Sequence, residues 1–220
     1  MALSKLKYNS LNVTPAASKA VGFDAGADDL SASLSGGSMV FIKKLTASSD
    51  GTLSFLNGAS DVVFDSTYKE YLFTFTNMHP ATDNVEFSFQ VDTGTNTSYN
   101  QTITSTYIDS YHGETDDATA VLEYNSTHDQ AQGTAFQTLG NDIGNANDEH
   151  VSGYLHIFNP SSSTFVKHFM ARNVRMSHND YLGAQHIAGY VNTTTALTRV
   201  QFKFDSGNID AGDICLYGIK

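Results

Sequence analysis

The chain of 220 residues contains no tryptophan, three prolines and a single cysteine, Cys215. One cysteine excludes both an intrachain disulfide and a zinc site built from several thiolates. Its setting, Ile-Cys-Leu-Tyr, is typical of a strand, so we expect a buried and unreactive thiol. The chain also lacks an apolar run of about 18 residues and opens without a signal-peptide pattern. We therefore expect a protein that is made in a cytosol and does not insert into a membrane.

Positive charge is scarce, since 12 Lys and Arg stand against 23 Asp and Glu, for a formal net charge of −11. No Lys or Arg occurs between Lys69 and Lys167, whereas residues 70–166 carry 13 acids. This balance argues against nucleic acid as a partner, because phosphate contacts need clustered cations. The nearly neutral ends suit contacts with neighbouring subunits. The alternative is that the acids only keep exposed loops soluble.

Charged residues make up only 16% of the chain, which is too few for long solvent-facing helices. Ser, Thr and Asn together exceed a quarter of it, and 14 Phe and 11 Tyr supply large side chains for a core. Thr and aromatic residues favour strands, while Gly, Asn and Asp favour turns. The composition therefore predicts an all-β fold.

Alternation is clearest at residues 85–91, where Val and Phe face one way and Glu, Ser and Gln face the other. This pattern predicts a half-buried antiparallel strand. Tyr71, Phe73 and Phe75 form a similar run, and the turn-rich residues between the two predict a hairpin. Further runs lie at residues 39–42, 102–108, 120–124, 153–158, 165–171, 186–191, 199–205 and 214–219. Nine or ten such strands predict an antiparallel β-sandwich of jelly-roll type.

Two segments lack this strand pattern. Residues 1–37 are rich in small residues and Gly, so we interpret them as an irregular N-terminal arm that orders against a partner. The β-sandwich domain then spans residues 38–220. Within it, residues 114–148 are weakly patterned and polar, which predicts a long irregular loop with a functional or contact-forming role.

Acidic residues close to histidines are the strongest indication of catalysis. Glu114, Asp116 and Asp117 follow a His-Gly pair, and Asp148, Glu149 and His150 lie together further along. A polysaccharide-cleaving enzyme needs only two well-placed carboxylates, so this class stays open as an alternative. Neighbouring acids are common in so acidic a chain, and neither Gly-X-Ser-X-Gly nor a phosphate-binding glycine motif occurs. We predict no catalytic residues, no cofactor and no enzymatic activity.

Three other groups of residues have both a binding interpretation and a plainer one. Oxygen ligands at Asn145, Asn147, Asp148 and Glu149 could bind Ca²⁺, but a solvated polar turn is the favoured interpretation, and a metal site stays open. His156 and His168 lie in strand-like runs, where outward-facing positions are expected. Tyr99, Tyr107 and Tyr111 could stack on carbohydrate, although cross-strand packing is the commoner use of aromatic residues.

Three segments carry a resemblance to a known class of proteins. Residues 1–11 are Met-Ala-Leu-Ser-Lys-Leu-Lys-Tyr-Asn-Ser-Leu, and residues 65–75 are Asp-Ser-Thr-Tyr-Lys-Glu-Tyr-Leu-Phe-Thr-Phe. Residues 206–220 end the chain with Ser-Gly-Asn-Ile-Asp-Ala-Gly-Asp-Ile-Cys-Leu-Tyr-Gly-Ile-Lys. The segments resemble, in that order, the N-terminal arm, a Tyr-x-x-Tyr-x-Phe strand and the Leu-Tyr-Gly ending of jelly-roll virion proteins from tailed bacteriophages, particularly marine ones.

The resemblance implies a structural protein located in the virion and assembled in the host cytoplasm. It implies a homo-oligomer, a trimer, in contact with other virion proteins, and it carries over no catalytic residues. We expect a tail fibre or appendage that anchors by its arm and adheres passively to a host surface glycan or protein. A capsid decoration or cement protein that binds the head lattice is the alternative.

Overall fold

The computed structural model describes residues 22–23, 30–31, 38–115 and 119–220. The strands are β1 Gly22–Phe23, β2 Leu30–Ser31, β3 Met39–Thr46, β4 Leu53–Leu56, β5 Glu70–Pro80, β6 Val85–Thr93, β7 Ile103–Gly113, β8 Ala120–Tyr124, β9 Gln137–Ile143, β10 Val151–Phe158, β11 Lys167–Met176, β12 Tyr181–Val191, β13 Leu197–Phe204 and β14 Ile209–Ile219. These ranges contain no helix and hence no helical membrane span. The all-β prediction is confirmed.

Two antiparallel sheets form the sandwich. The large sheet has the strand order β3-β14-β5-β10-β11-β12-β7-β8, and the small sheet has the order β4-β13-β6-β9. If β3, β4, β5, β6, β9, β10, β13 and β14 are lettered B to I in chain order, the sheets contain B-I-D-G and C-H-E-F. That is the strand order of an eight-stranded jelly roll built from two Greek keys. The predicted fold is therefore present.

Two hairpins are inserted into the jelly roll. The hairpin β7–β8 lies between β6 and β9 in the chain, and the hairpin β11–β12 lies between β10 and β13. The hairpin β11–β12 adds to the free edge of β10, and the hairpin β7–β8 adds to β12, which pairs β7 over eleven residue pairs. We call these four strands the extension. They make the large sheet twice as wide as the small one, so much of the extension lies beyond the sandwich core.

Phenylalanine fills the core between the sheets. The ring of Phe202 on β13 lies 5.4 Å from that of Phe73 and 5.2 Å from that of Phe75, both on β5. Phe87 on β6 lies 5.3 Å from Phe75, in an edge-to-face arrangement. Such aromatic pairs contribute about 0.5–1.5 kcal/mol each beyond the area they bury. The abundance of Phe in the sequence thus serves the contact between sheets.

The predicted hairpin between residues 71–75 and 85–91 is wrong. β5 pairs β10 and β14 in the large sheet, whereas β6 pairs β13 and β9 in the small one. The turn at residues 81–84 carries the chain across the sandwich, and both strands direct Phe side chains into the same core. Alternation determines which side chains of a strand face the core. It does not determine whether two successive strands pair in the same sheet or lie opposite each other in two sheets, because both arrangements bury the same side chains.

The expectation that residues 85–91 are half-buried is also wrong. Ser88, Gln90 and Asp92 lie on the side of β6 that faces away from the core, yet they are buried. Loop residues cover them: the Gln90 side-chain amide donates to the carbonyls of Gln101 and Ala135, each at 2.9 Å. Gln90 and Asp92 therefore bind the loops that cross the strand, while Ser88 donates to the Lys203 carbonyl on β13.

Residues 114–148 are more regular than predicted. They include β8, which coincides with the predicted run at residues 120–124, and β9, which the sequence did not reveal. β9 is hard to recognise because its residues, Gln-Thr-Leu-Gly-Asn-Asp-Ile, are buried on both sides although most are polar. Leu53–Leu56, the short strand β4, was also not predicted.

The chain divides into two compact units, Met1–Val40 and Phe41–Lys220. The predicted arm, residues 1–37, lies outside the described residues except for the short antiparallel pair β1–β2. Residues 1–11, which carry part of the resemblance, also lie outside the described ranges.

The other two segments that carry the resemblance contact each other. Gly218, from the Leu-Tyr-Gly ending on β14, packs against the ring of Tyr68 so closely that a Cβ atom at residue 218 would lie 2.3 Å from the ring. The Tyr71 hydroxyl donates to the Asp65 carbonyl at 3.2 Å. The two patterns therefore have a packing role, in which a glycine makes room for a tyrosine.

Candidate functional site

The carboxylates considered for catalysis are not brought together. Glu114 is exposed and follows β7, whereas Asp148, Glu149 and His150 precede β10. β11 and β12 separate these two strands, so the two groups lie about 14 Å apart at ordinary strand spacing. Asp116 and Asp117 lie outside the described residues.

The segment considered for Ca²⁺ forms a closed turn. The Glu149 carboxylate is buried and accepts a hydrogen bond from the backbone N–H of Ala146 at 2.7 Å. Its own N–H donates to the Ala146 carbonyl at 2.9 Å. The Glu149 carboxylate thus accepts a hydrogen bond from the backbone of the turn to which it belongs. Across the described ranges, no group of three or more His, Cys, Asp or Glu is placed to hold a metal ion.

The remaining residues singled out from the sequence have varied surroundings. His156 and His168 face outward as expected, and His156 Nε2 lies 3.0 Å from Glu70 Oε2. Cys215 is only half-buried, on the outward side of β14, so the prediction of a buried thiol is wrong. Tyr107 is fully buried, so its hypothetical role in stacking on carbohydrate is wrong.

Tyr107 belongs instead to a polar layer between the extension and β9. Its hydroxyl donates to Asn141 Oδ1 at 3.0 Å, and the Asn173 side-chain amide donates to the Leu139 carbonyl at 3.0 Å. Ser105 donates from its hydroxyl to Gln137 Oε1 at 2.6 Å. Hydrogen bonds between side chains and backbone therefore join β9 to the extension, whereas aromatic packing joins the two sheets of the jelly roll.

At the open end of this layer lies a buried ion pair. Arg175 on β11 and Asp109 on β7 are 3% and 1% exposed, and Arg175 Nη2 lies 3.4 Å from Asp109 Oδ2. The Gln185 amide donates to the other Asp109 oxygen at 3.0 Å, and Arg175 Nε donates to Asn141 Oδ1 at 3.3 Å. A buried charge without partners is energetically costly, and these hydrogen bonds supply the partners of both groups. They also fix the positions of the two side chains.

The ion pair forms the floor of a cleft of about 210 Å³, which we call the polar cleft. Its lining residues are Asp109, Tyr111, Glu123, Asn125, Asn141, Asp142, Arg175, Ser177, Asn179 and Tyr181. The rings of Tyr111 and Tyr181 lie 5.7 Å apart at its side. Desolvation, followed by the charges of Glu123 and Asp109, raises the pKa of Tyr111, so its hydroxyl stays protonated at neutral pH.

Of these residues, sequence reasoning identified only Tyr111. A signal was present in β11: Phe169 and Ala171 mark the inward positions, and Asn173 and Arg175 continue the same alternation. An arginine at an inward position of a strand indicates a buried charge that needs a partner. The partners themselves come from other strands, which one strand's pattern does not identify.

A loop at residues 125–136 crosses the polar layer, and its His128 contacts Glu86 on β6. His128 Nδ1 lies 3.4 Å from Glu86 Oε1, and the other Glu86 oxygen accepts from the Thr138 hydroxyl at 2.7 Å. The His128 hydrogen bond lowers the pKa of Glu86. Burial works against the protonation of His128, but Glu86 outweighs it and raises the pKa of His128. The pair therefore favours the charged forms of both groups.

The opposite side of the large sheet has a different chemistry. We define the outer face as the outward side of β10, β11, β12, β7 and β8. Its exposed large hydrophobic residues are Ile108, Leu122, Tyr124, Tyr154, Met170, Val174 and Leu182. Two shallow grooves of about 460 and 440 Å³ run along it. Apolar side chains exposed together on one face of a sheet are typical of a surface that a partner covers.

The strands of the outer face place no negative charge outward, and the carboxylates of Glu70 and Asp129, which contact His156 and Tyr124, come from β5 and from the loop after β8. None of the outward positions on its five strands is Asp or Glu, whereas Arg172 and several histidines are present. In a chain with a net charge of −11, this is a segregation of acids away from one surface.

Comparison of the chain with protein-family models, curated proteins and solved structures found no match.

Proposed function

We propose that this protein is a structural subunit of a tailed-phage virion, a tail fibre or appendage that acts by assembly and adhesion. The outer face is the observation that carries the proposal. It combines exposed Leu, Met, Val and Tyr side chains with the absence of acids, which are the properties of a surface that another protein covers.

The occupant we propose for the outer face is a second copy of the same chain. Two copies with a net charge of −11 repel each other, so self-association requires a contact surface free of carboxylates. The outward positions of the five strands of the outer face are free of carboxylates, with Glu70 and Asp129 at its margins. Five strands about 4.8 Å apart and up to eleven residues long give it an area of about 700 Å². This is close to the roughly 800 Å² per partner of a standard stable interface.

Residues 1–37 are proposed as the anchor to other virion proteins, and a homotrimer is the assembly that the resemblance implies. Adhesion of each subunit to a host surface glycan or protein is expected to be weak, because shallow polar sites bury little area. Several copies on one particle raise the overall avidity by orders of magnitude without new contacts. Assembly and adhesion are therefore complementary parts of one function.

Quantitative mass spectrometry of purified phage particles tests this proposal. For a tail appendage we expect a copy number of a few per cent of that of the major capsid protein. A copy number near or above a tenth of it contradicts the tail assignment and favours a head decoration protein. Absence from washed particles contradicts the virion function itself.

A further inference from the structure

We propose that the polar cleft binds one saccharide ring that carries no negative charge. The inference rests on the proposed adhesive function for its biological role, but its chemistry comes from the cleft alone. A cleft of about 210 Å³ has room for one ring and little more. The cleft lies on the inner side of the extension, so a copy that covers the outer face leaves it open.

The Asp109–Arg175 ion pair on the floor of the cleft is held in place by hydrogen bonds before any ligand binds. Both oxygens of Asp109 are engaged, one by Gln185 and one by Arg175. Arg175 also donates to Asn141 and to the Tyr181 carbonyl. A site whose side chains are held in position before binding loses less conformational entropy when a ligand arrives.

The rim, by contrast, has unused hydrogen-bonding groups. Within the described residues, the side chains of Glu123 and Asn179 have no hydrogen bond or ion pair, and Asp142 keeps one oxygen free. These groups offer both acceptors and donors. A sugar hydroxyl is both donor and acceptor, so adjacent hydroxyls match a rim that contains both carboxylates and amides.

Charge and aromatic rings narrow the class of ligand. Three carboxylates and one guanidinium line the cleft, so its local charge disfavours acidic sugars. A divalent cation does not fit either, because no three ligating groups converge in the described residues. Tyr111 and Tyr181 provide apolar ring surface with a polar tip, which suits the C–H face of a sugar.

Saturation-transfer NMR on the full-length assembled protein tests this inference. The probes are methyl β-galactoside, methyl α-mannoside, N-acetylglucosamine, glucuronate and ethanolamine. We expect saturation of at least one uncharged glycoside with a dissociation constant on the order of millimolar, which is usual for so small a ligand, and none of glucuronate.

The matched variants are Glu123→Gln and Asp142→Asn in the rim, with Glu114→Gln as the control. Glu114 is an exposed acid beyond the end of β7 and does not line the cleft. We expect each rim variant to weaken glycoside binding at least tenfold and the control to leave it unchanged. Asp142→Asn keeps a side chain that tolerates the left-handed backbone at this position, where φ is 52°.

Three results would overturn the inference. The first is no saturation of any uncharged glycoside, and the second is glycoside binding in both rim variants as strong as in the wild type. The third is saturation of ethanolamine equal to that of the glycosides, which would indicate a cation site. The failure of this site is distinguishable from the failure of the proposed function. A chain found in particles that binds no glycoside loses only the cleft assignment. A chain absent from particles that still binds glycoside loses only the virion assignment.

Discussion

Lys167 is the most unusual single residue of the described fold, because it is fully buried without a carboxylate partner. Its Nζ donates to the carbonyls of Ser162, Phe165 and Thr193 at 2.6, 3.1 and 3.2 Å. These three bonds use all its donors and tie the loop before β11 to the loop after β12. Burial lowers the pKa of Lys167, and the three carbonyls are the groups that stabilise its ammonium form.

We expect Lys167→Met to lower the free energy of unfolding by about 2 kcal/mol, because three buried carbonyls lose their donor. Lys43→Met on β3 is the matched control, since Lys43 is half-exposed and forms no hydrogen bond or ion pair with any other residue that the structure describes. Urea denaturation followed by circular dichroism measures both. A loss of stability in the control as large as that in Lys167→Met would contradict the carbonyl explanation.

A second residue-scale prediction concerns Gly218. Its backbone has no left-handed φ, so alanine is excluded there only by the ring of Tyr68. We expect Gly218→Ala to cost about 1–3 kcal/mol through overpacking. Gly51→Ala is the control, because the nearest atom to its new methyl lies at 3.7 Å. Thermal unfolding compares the two, and equal melting temperatures would show that Tyr68 moves aside freely.

At the scale of elements, the sequence predicts individual strands better than their partners. Val85, Phe87, Phe89 and Val91 were placed on one side of their strand correctly, and that side faces the core, whereas Cys215 on the last strand was expected to be buried and is half-buried. The pairing of β5 with β6 was wrong because alternation specifies a face and not a neighbour. β9 was missed because hydrogen bonding, rather than apolar burial, holds it under the extension.

The same polar layer predicts a pH dependence for the loop at residues 125–136. His128 has a higher pKa in the folded state, so its contribution is complete below the unfolded value of about 6.5 and is lost as pH rises through the folded one. Glu86 has a lowered pKa, so its contribution is lost as pH falls through that value. The pair therefore stabilises most between the two unfolded pKa values, at about pH 4.5–6.5.

We expect His128→Gln to reduce stability by about 1 kcal/mol at pH 6 and by much less at pH 8.5. Melting curves of wild type and variant at the two pH values measure the difference. Using the difference removes the contributions of the other histidines, such as His79 beside Asp210 and His156 beside Glu70. If the stability difference between wild type and His128→Gln is the same at pH 6 and at pH 8.5, the ion pair is not the cause of that difference.

At the scale of the whole molecule, the extension separates two chemistries on the two sides of one sheet. On β8, Leu122 faces outward and Glu123 faces the polar cleft. The sequence shows this alternation but not its consequence, because the outer face exists only once five strands from distant segments are placed side by side. The acid-free surface was therefore not predictable from the charge distribution along the chain.

The proposed self-association makes the last prediction. We expect the wild-type protein to have a solution mass that is a multiple of 23.8 kDa, three times that value for a trimer, and a melting temperature that rises with protein concentration. Met170→Glu places a carboxylate on β11 within the outer face, where its cross-strand neighbours are His156 on β10 and Ala188 on β12. Every interface that the outer face forms would then bury an added charge, so we expect at least a tenfold weaker association.

Phe165→Glu is the matched control, because Phe165 is 68% exposed but lies in the loop before β11, outside the outer face. Light scattering coupled to size exclusion measures the mass of all three proteins over a range of concentrations. If Phe165→Glu dissociates the protein and Met170→Glu does not, the interface lies elsewhere. If the wild type itself is monomeric at every concentration, the partner of the outer face is a different protein, and the acid-free surface then serves attachment to the particle rather than assembly of identical copies.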